Sequence, residues 1–150
     1  MSSKVAVEEL LEQSSLAVVG VSRNRMKFGN RIFVDLRRKG YRTFAVNPNA
    51  DIIGDDPCYP SLAALPEKVG GVVLVVPPQE TEKTVRDVAD LGIRRVWMQQ
   101  GSESPAAIDF CQENDISVVA GECILMFAKP VESIHRIHHW IWRLLGKLPK

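Results

Sequence analysis

Short apolar runs recur along the chain, separated by segments with the periodicity of amphipathic helices. Residues 16–21, 42–46, 71–76, 94–98 and 116–120 are rich in Val, Ile and Phe, and residues 72–76, "VVLVV", are continuously apolar. Runs of this length without alternation fit strands buried on both faces. Between them, Ile32, Phe33 and Leu36 repeat at helical spacing up to Gly40, and Val85, Val88, Ala89 and Leu91 do so up to Gly92. Glycine just past the last apolar position is a helix stop. "SPAA" predicts a further helix start, with Ser104 as side-chain cap and Pro105 supplying a preset φ at the first helical position. The connection over residues 47–70 is irregular and turn-rich, and only "SLAAL" within it is long enough for a turn or two of helix.

Alternating strands and helices with apolar strands predict an α/β domain: a Rossmann-like parallel sheet of five strands in the order 3-2-1-4-5, with helices on both faces. Ligands of such sheets sit beyond the carboxyl ends of the strands where the order reverses. In this order the reversal falls between the first and fourth strands, which points to Gly20–Asn30 and Gln99–Gly101. Residues 130–148, "PVESIHRIHHWIWRLLGKL", place Val131, Ile134, Ile137, Ile141, Leu144, Leu145 and Leu148 on one stripe flanked by Trp140 and Trp142. They predict an extra C-terminal helix over about 130–146, whose apolar arc exceeds one packing surface and therefore also predicts a homodimer interface. Glu132, His135 and His139 in this segment lack a fourth ligand or an H-E-x-x-H pattern, and no metal site is expected from them.

At 150 residues the chain fits one domain with a full core and shows no internal repeat or linker. With 19 basic and 18 acidic residues, the net charge of +1 gives no global reason to expect a nucleic acid or a membrane as partner. Cys58, Cys111 and Cys123 are odd in number and form no C-x-x-C pair, which argues against a disulfide framework and for a reducing compartment. Residues 1–15 place charges through what would be the core of a signal peptide, and no run approaches membrane-spanning length, so a cytoplasmic protein is expected.

Local charge is more informative. "AVVGVSRNRMKFGNRI" follows the first strand and opens a helix, and it carries Arg23, Arg25, Lys27 and Arg31 with no acid among them. Backbone N–H groups near Phe28, Gly29 and Asn30 and the positive end of the helix dipole would face an anion there. The dinucleotide fingerprint G-x-G-x-x-G fails, because Ser22 and Arg25 stand where the second and third glycines belong. The second strand ends "AVNPNA", with neutral Asn47 and Asn49 in place of the acid that binds the ribose of NAD; this disfavours NAD and leaves NADP open. Neither G-x-S-x-G nor a Walker loop occurs, and Asp55 and Asp56 in a turn-rich loop give no acid–base assignment. A nicotinamide-dinucleotide enzyme or redox sensor, and a Rossmann-shaped homo-oligomeric scaffold, stay open beside an anion-binding module.

"VVGVSRNRMKFGNRIFVDLRRKGYRTFAVNPNA", followed by "YPSLAALP", "VVLVVPP" and "QQG", resembles the single-domain CoA-binding protein family, itself similar to the CoA-binding domain of succinyl-CoA synthetase alpha subunits. The resemblance runs from about residue 14 to 127 and implies coenzyme A or an acyl-CoA as ligand. It places the phosphates at the turn of Gly20, Ser22, Arg23, Arg25 and Lys27 through Phe28 and Gly29 to Asn30. It places the nucleotide along Val46, Asn47 and Pro48, and the adenine end along Val76, Pro77 and Pro78, with Gln100, Gly101 and Cys123 completing the site. The charge of CoA, roughly four negative units, suits a cluster of cations. Relatives often carry a basic residue where this chain has Asn49, which moves recognition of the 3′-phosphate to Arg23, Arg25 or Lys27. Many relatives read Asp-Arg-Cys after the fifth strand, where this chain has Gly121, Glu122 and Cys123; two roles are open for Cys123, facing the pantetheine thiol or packing as a small hydrophobe. The chain ends where a ligase would carry its second domain, and the resemblance implies a binding module without catalytic residues.

Overall fold

The computed structural model describes residues 4–24 and 26–128. Four helices, α1 (Lys4–Leu11), α2 (Phe28–Arg38), α3 (Pro78–Asp90) and α4 (Pro105–Glu113), accompany seven strands. These are β1 (Ser15–Val19), β2 (Arg42–Val46), β3 (Ile52–Ile53), β4 (Asp56–Tyr59), β5 (Gly71–Leu74), β6 (Arg95–Gln99) and β7 (Ser117–Glu122). They form one sheet in the order β3-β4-β2-β1-β5-β6-β7, parallel throughout except for the β3–β4 pair at the edge. Val18 at the centre pairs with Ala45 on one side and Val73 on the other.

All five residues of β1 are buried, as its unbroken apolar run requires. One face of the sheet packs Leu10 of α1 and Ile32 and Leu36 of α2 into a core with Trp97. The other face packs Val85 and Val88 of α3 and Ala107 and Cys111 of α4 against Val72 and Val96. The helix boundaries follow the sequence signals. Gly40 and Gly92 take positive φ just past α2 and α3, and the Ser104 hydroxyl accepts from the Ala107 N–H at 3.4 Å ahead of Pro105. Helix α1, which the chain pattern did not announce, buries Ala6, Leu10 and Leu11; the Tyr41 hydroxyl donates to the Leu11 carbonyl at 2.9 Å.

The five-strand order 3-2-1-4-5 is corrected by the structure. The run at 71–74 lies beside β1 and not outside residues 42–46. The place outside β2 belongs to β4, inside the connection read as irregular, through the pairs Ala45↔Cys58 and Val46↔Tyr59. β4 is short, contains Pro57 and turns back on β3 at Gly54, so it lacks the apolar length that marks a strand in sequence. The order therefore reverses between β1 and β5, and Gln100 and Gly101 after β6 stand one strand farther from the reversal than expected. Arg25, the C-terminal helix at about 130–146 with its tryptophans and interface, and Glu132, His135 and His139 lie outside the described residues. Among the described residues no helix is long and apolar enough to cross a membrane.

Candidate ligand-binding site

At the point of reversal the chain leaves β1 through Gly20, whose φ of +114° suits glycine. A Cβ on Gly20 would fall 2.1 Å from the Val75 carbonyl oxygen, and one on Gly29 would fall 2.4 Å from the Gly20 carbonyl oxygen. Two glycines thus let the first turn of α2 abut the ends of β1 and β5. The turn between them is held by side chains. The Ser22 N–H donates to Asn30 Oδ1 at 2.8 Å, and Asn30 Nδ2 donates back to the Ser22 carbonyl. Asn47 Nδ2 donates to the Val21 carbonyl at 2.8 Å, and its Oδ1 accepts from the Asn49 N–H at 2.8 Å. Ser22 Oγ and Asn24 Oδ1 each accept at 3.0 Å from the backbone N–H two residues on.

Helix α2 begins without a side-chain cap at Lys27 and without an acid in its first turn. The Asn30 N–H is engaged by the Lys27 carbonyl at 3.1 Å, so the first-turn donors without a partner among the described residues are those of Phe28 and Gly29. Arg23, Lys27 and Arg31 are exposed, and none of them joins an ion pair among the described residues. A positive helix end, two uncapped N–H groups and exposed cations are a chemistry that can receive an anion. Asn30 and Asn47 serve it as struts, because their amides are already bonded to backbone.

A groove of ≈ 440 Å³ adjoins this turn on the β2 side of the reversal. Val19, Val46, Leu62 and Val76 give it an apolar floor, and Asn47, Pro48 and Asn49 form the wall after β2. Glu80, Lys83, Thr84 and Asp87 form the opposite wall; their spacing puts them on one side of α3. Lys83 Nζ lies 3.8 Å from the Glu80 carboxylate.

Of the residues singled out in the sequence, Gly20, Val46, Asn47, Pro48 and Val76 line the groove together. Ser22, Arg23, Lys27, Phe28, Gly29 and Asn30 build the adjoining turn. Pro77 precedes α3 and Pro78 is its first residue, so the pair starts a helix as well as following a strand. Gln100 and Gly101 form an exposed turn after β6, tied to the end of β5 where the Val76 N–H donates to Ser102 Oγ at 3.1 Å. Cys123 is partly buried after β7, beside Ile124, whose N–H donates to Gln99 Oε1 at 3.0 Å. None of these last three lines the groove. Sequence reasoning missed Ser61, Leu62 and the α3 wall; the usable signal for the wall was the i, i+3, i+4, i+7 polar face of the helix opening at Pro78.

Burial pushes the Cys111 thiol up to about 11, and burial also raises that of Cys58, so neither supplies a thiolate near neutral pH. Asp56 pairs with Arg37 at 2.8 Å, a structural use of a carboxylate that had no assignment. Among the described residues no group of three or more His, Cys, Asp and Glu side chains could hold a metal ion.

Residues 14–129, which include both the turn and the groove, match the family described as CoA binding domain. The chain belongs to this family. Among its relatives are two ADP-forming acetate–CoA ligases of Archaeoglobus fulgidus. Ligase II is 33% identical over 59% of this chain and 13% of its own length, and ligase I is 27% identical over 80% of this chain and 19% of its own. The chain thus spans a fifth or less of these curated relatives. A conserved hypothetical protein of Pyrococcus furiosus superposes with a TM-score of 0.71 at 36% identity, over 75% of this chain and 97% of its own.

Proposed function

We propose that this CoA-binding-family domain binds coenzyme A or an acyl-CoA, with the diphosphate at the turn from Gly20 to Gly29 and the adenosine in the groove. The observation that carries the reading is the uncapped start of α2, seated against Gly20 at the point where the strand order reverses. An anion there receives the Phe28 and Gly29 N–H groups and the dipole of an 11-residue helix. Arg23, Arg25, Lys27 and Arg31 add side-chain charge, which a diphosphate uses more fully than a neutral ligand would. The groove beside it has the apolar floor and polar rim that a purine nucleoside needs. Pro77 and Pro78 fix the start of α3 at the adenine end. Gln100, Gly101 and Cys123 lie at the ends of β6 and β7, across the reversal from the groove, in the direction left to the pantetheine arm. The CoA in the names of the Archaeoglobus ligases supports the same ligand.

Calorimetric titration of ligand-stripped protein with CoA, dephospho-CoA, NAD and NADP at fixed salt tests it. CoA should bind saturably, and Arg23→Ala should weaken it about five-fold, the share of one exposed cation facing a phosphate. Binding confined to NAD or NADP would overturn the assignment.

A further inference from the structure

The groove also bears on which adenosine it accepts. Resting on the CoA reading above, we propose that the site selects a ribose without a phosphate, so that dephospho-CoA binds at least as tightly as CoA. Ribose recognition in a Rossmann-like sheet falls at the end of the second strand, where an acid favours free hydroxyls and a cation favours an added phosphate. After β2 this chain offers Asn49, whose N–H is taken by Asn47 Oδ1 at 2.8 Å. The facing α3 wall offers Glu80, Lys83 and Asp87 as its charged groups. Lys83 lies 3.8 Å from the Glu80 carboxylate, and Asp87, one turn further along, has no ion-pair partner among the described residues. The charge that the described residues lining this groove turn toward a ribose is therefore net negative. A phosphate monoester there carries about −1.5 to −2 and meets repulsion, whereas a free hydroxyl or the adenine amine can donate to the Asp87 carboxylate. Arg23 and Lys27 stand on the α2 side of Gly20, where the diphosphate uses them.

The test is calorimetry with CoA and dephospho-CoA at one ionic strength, on the wild-type chain and on Asp87→Asn. Asp87 is exposed, so the substitution leaves the core intact. Wild-type protein should bind dephospho-CoA with an equal or lower Kd than CoA. Asp87→Asn should move the ratio of the two constants toward CoA by about two- to five-fold, the size of one partly screened charge acting on a phosphate. Contacts shared by the two ligands cancel in that ratio, so a general weakening of binding cannot mimic the result. Tighter wild-type binding of CoA than of dephospho-CoA, or a ratio that Asp87→Asn does not move toward CoA, would overturn the inference and leave the CoA reading standing. Binding of neither ligand would instead sink the CoA reading, and this inference with it.

Discussion

Gly29→Ala probes the seat of α2 directly. The added Cβ would stand 2.4 Å from the Gly20 carbonyl oxygen, whereas a carbon–oxygen contact without overlap needs about 3.3 Å or more. The obstacle is backbone, so the first turn of α2 must retreat by nearly an ångström. That retreat pulls Asn30 from Ser22 and weakens the two hydrogen bonds of the clamp, each contributing about 1 kcal/mol. Overpacking adds about 1–3 kcal/mol, and the better helix propensity of alanine returns about 1 kcal/mol. A net loss of up to about 2–4 kcal/mol should lower the melting midpoint by up to about 4–16 °C in a chain of this size. The Phe28 and Gly29 N–H groups move with the helix, and misaligning one charge-assisted bond, worth about 1.5–3 kcal/mol, should weaken CoA about ten- to a hundred-fold. Thermal melts and CoA titrations on the same preparations separate the two effects. An unchanged midpoint would refute the close packing of Gly29 on Gly20. A lowered midpoint with undiminished CoA affinity would refute the placement of the diphosphate at this helix start.

Two further predictions follow from groups away from the groove. Burial pushes the Tyr41 hydroxyl from 10.0 up to about 12, so its share of stability is whole below pH 10 and is lost as the pH rises toward 12. Tyr41→Phe should cost about 1–2 kcal/mol at neutral pH, by leaving the Leu11 carbonyl without its donor, and should lose less stability above pH 10 than the wild type. Urea midpoints across that range check both statements, and an identical alkaline decline in the two proteins would refute the second. For the thiols, iodoacetamide on the folded protein near pH 8 should modify Cys123 first, because Cys58 and Cys111 are buried with raised pKa values. Peptide mass mapping reads the order, and early modification of Cys111 would contradict its burial.

The parts of the fold that sequence made legible are those where one local cause suffices. An unbroken apolar run marks β1 and β5, a glycine past the last apolar residue ends α2 and α3, and Ser104 with Pro105 starts α4. Strand order has no such local cause. It turned on β4, four residues containing Pro57, whose pairing with Ala45 and Val46 is a tertiary fact. Placing residues 71–74 outermost moved the reversal away from Val75, but it kept the glycine turn after β1 beside the reversal, because Gly20 follows β1 under either order. Helix α1 was missed because its eight residues were weighed only against a signal peptide. The α3 wall of the groove was missed because Glu80, Lys83, Thr84 and Asp87 read as an ordinary solvated face until Asn49 and Ser61 are seen opposite them.

The two asparagines singled out as ligand contacts explain how so exposed a turn is held in one shape. Between them Asn30 and Asn47 hold the Val21 carbonyl and both the N–H and the carbonyl of Ser22, reaching in from α2 and from the end of β2. Three successive backbone groups are thereby fixed by side chains from separate elements, before any ligand arrives. An anion entering such a turn does not have to order it, and that saving in conformational entropy adds to affinity as fully as a new contact would. The division of labour follows from the geometry. Arg23 and Lys27, exposed and without an ion pair among the described residues, would set the attraction for an anion and its dependence on salt. On the proposed CoA reading, Gly20, Gly29, Asn30 and Asn47, which bear no charge, would set the shape into which that attraction draws the phosphates.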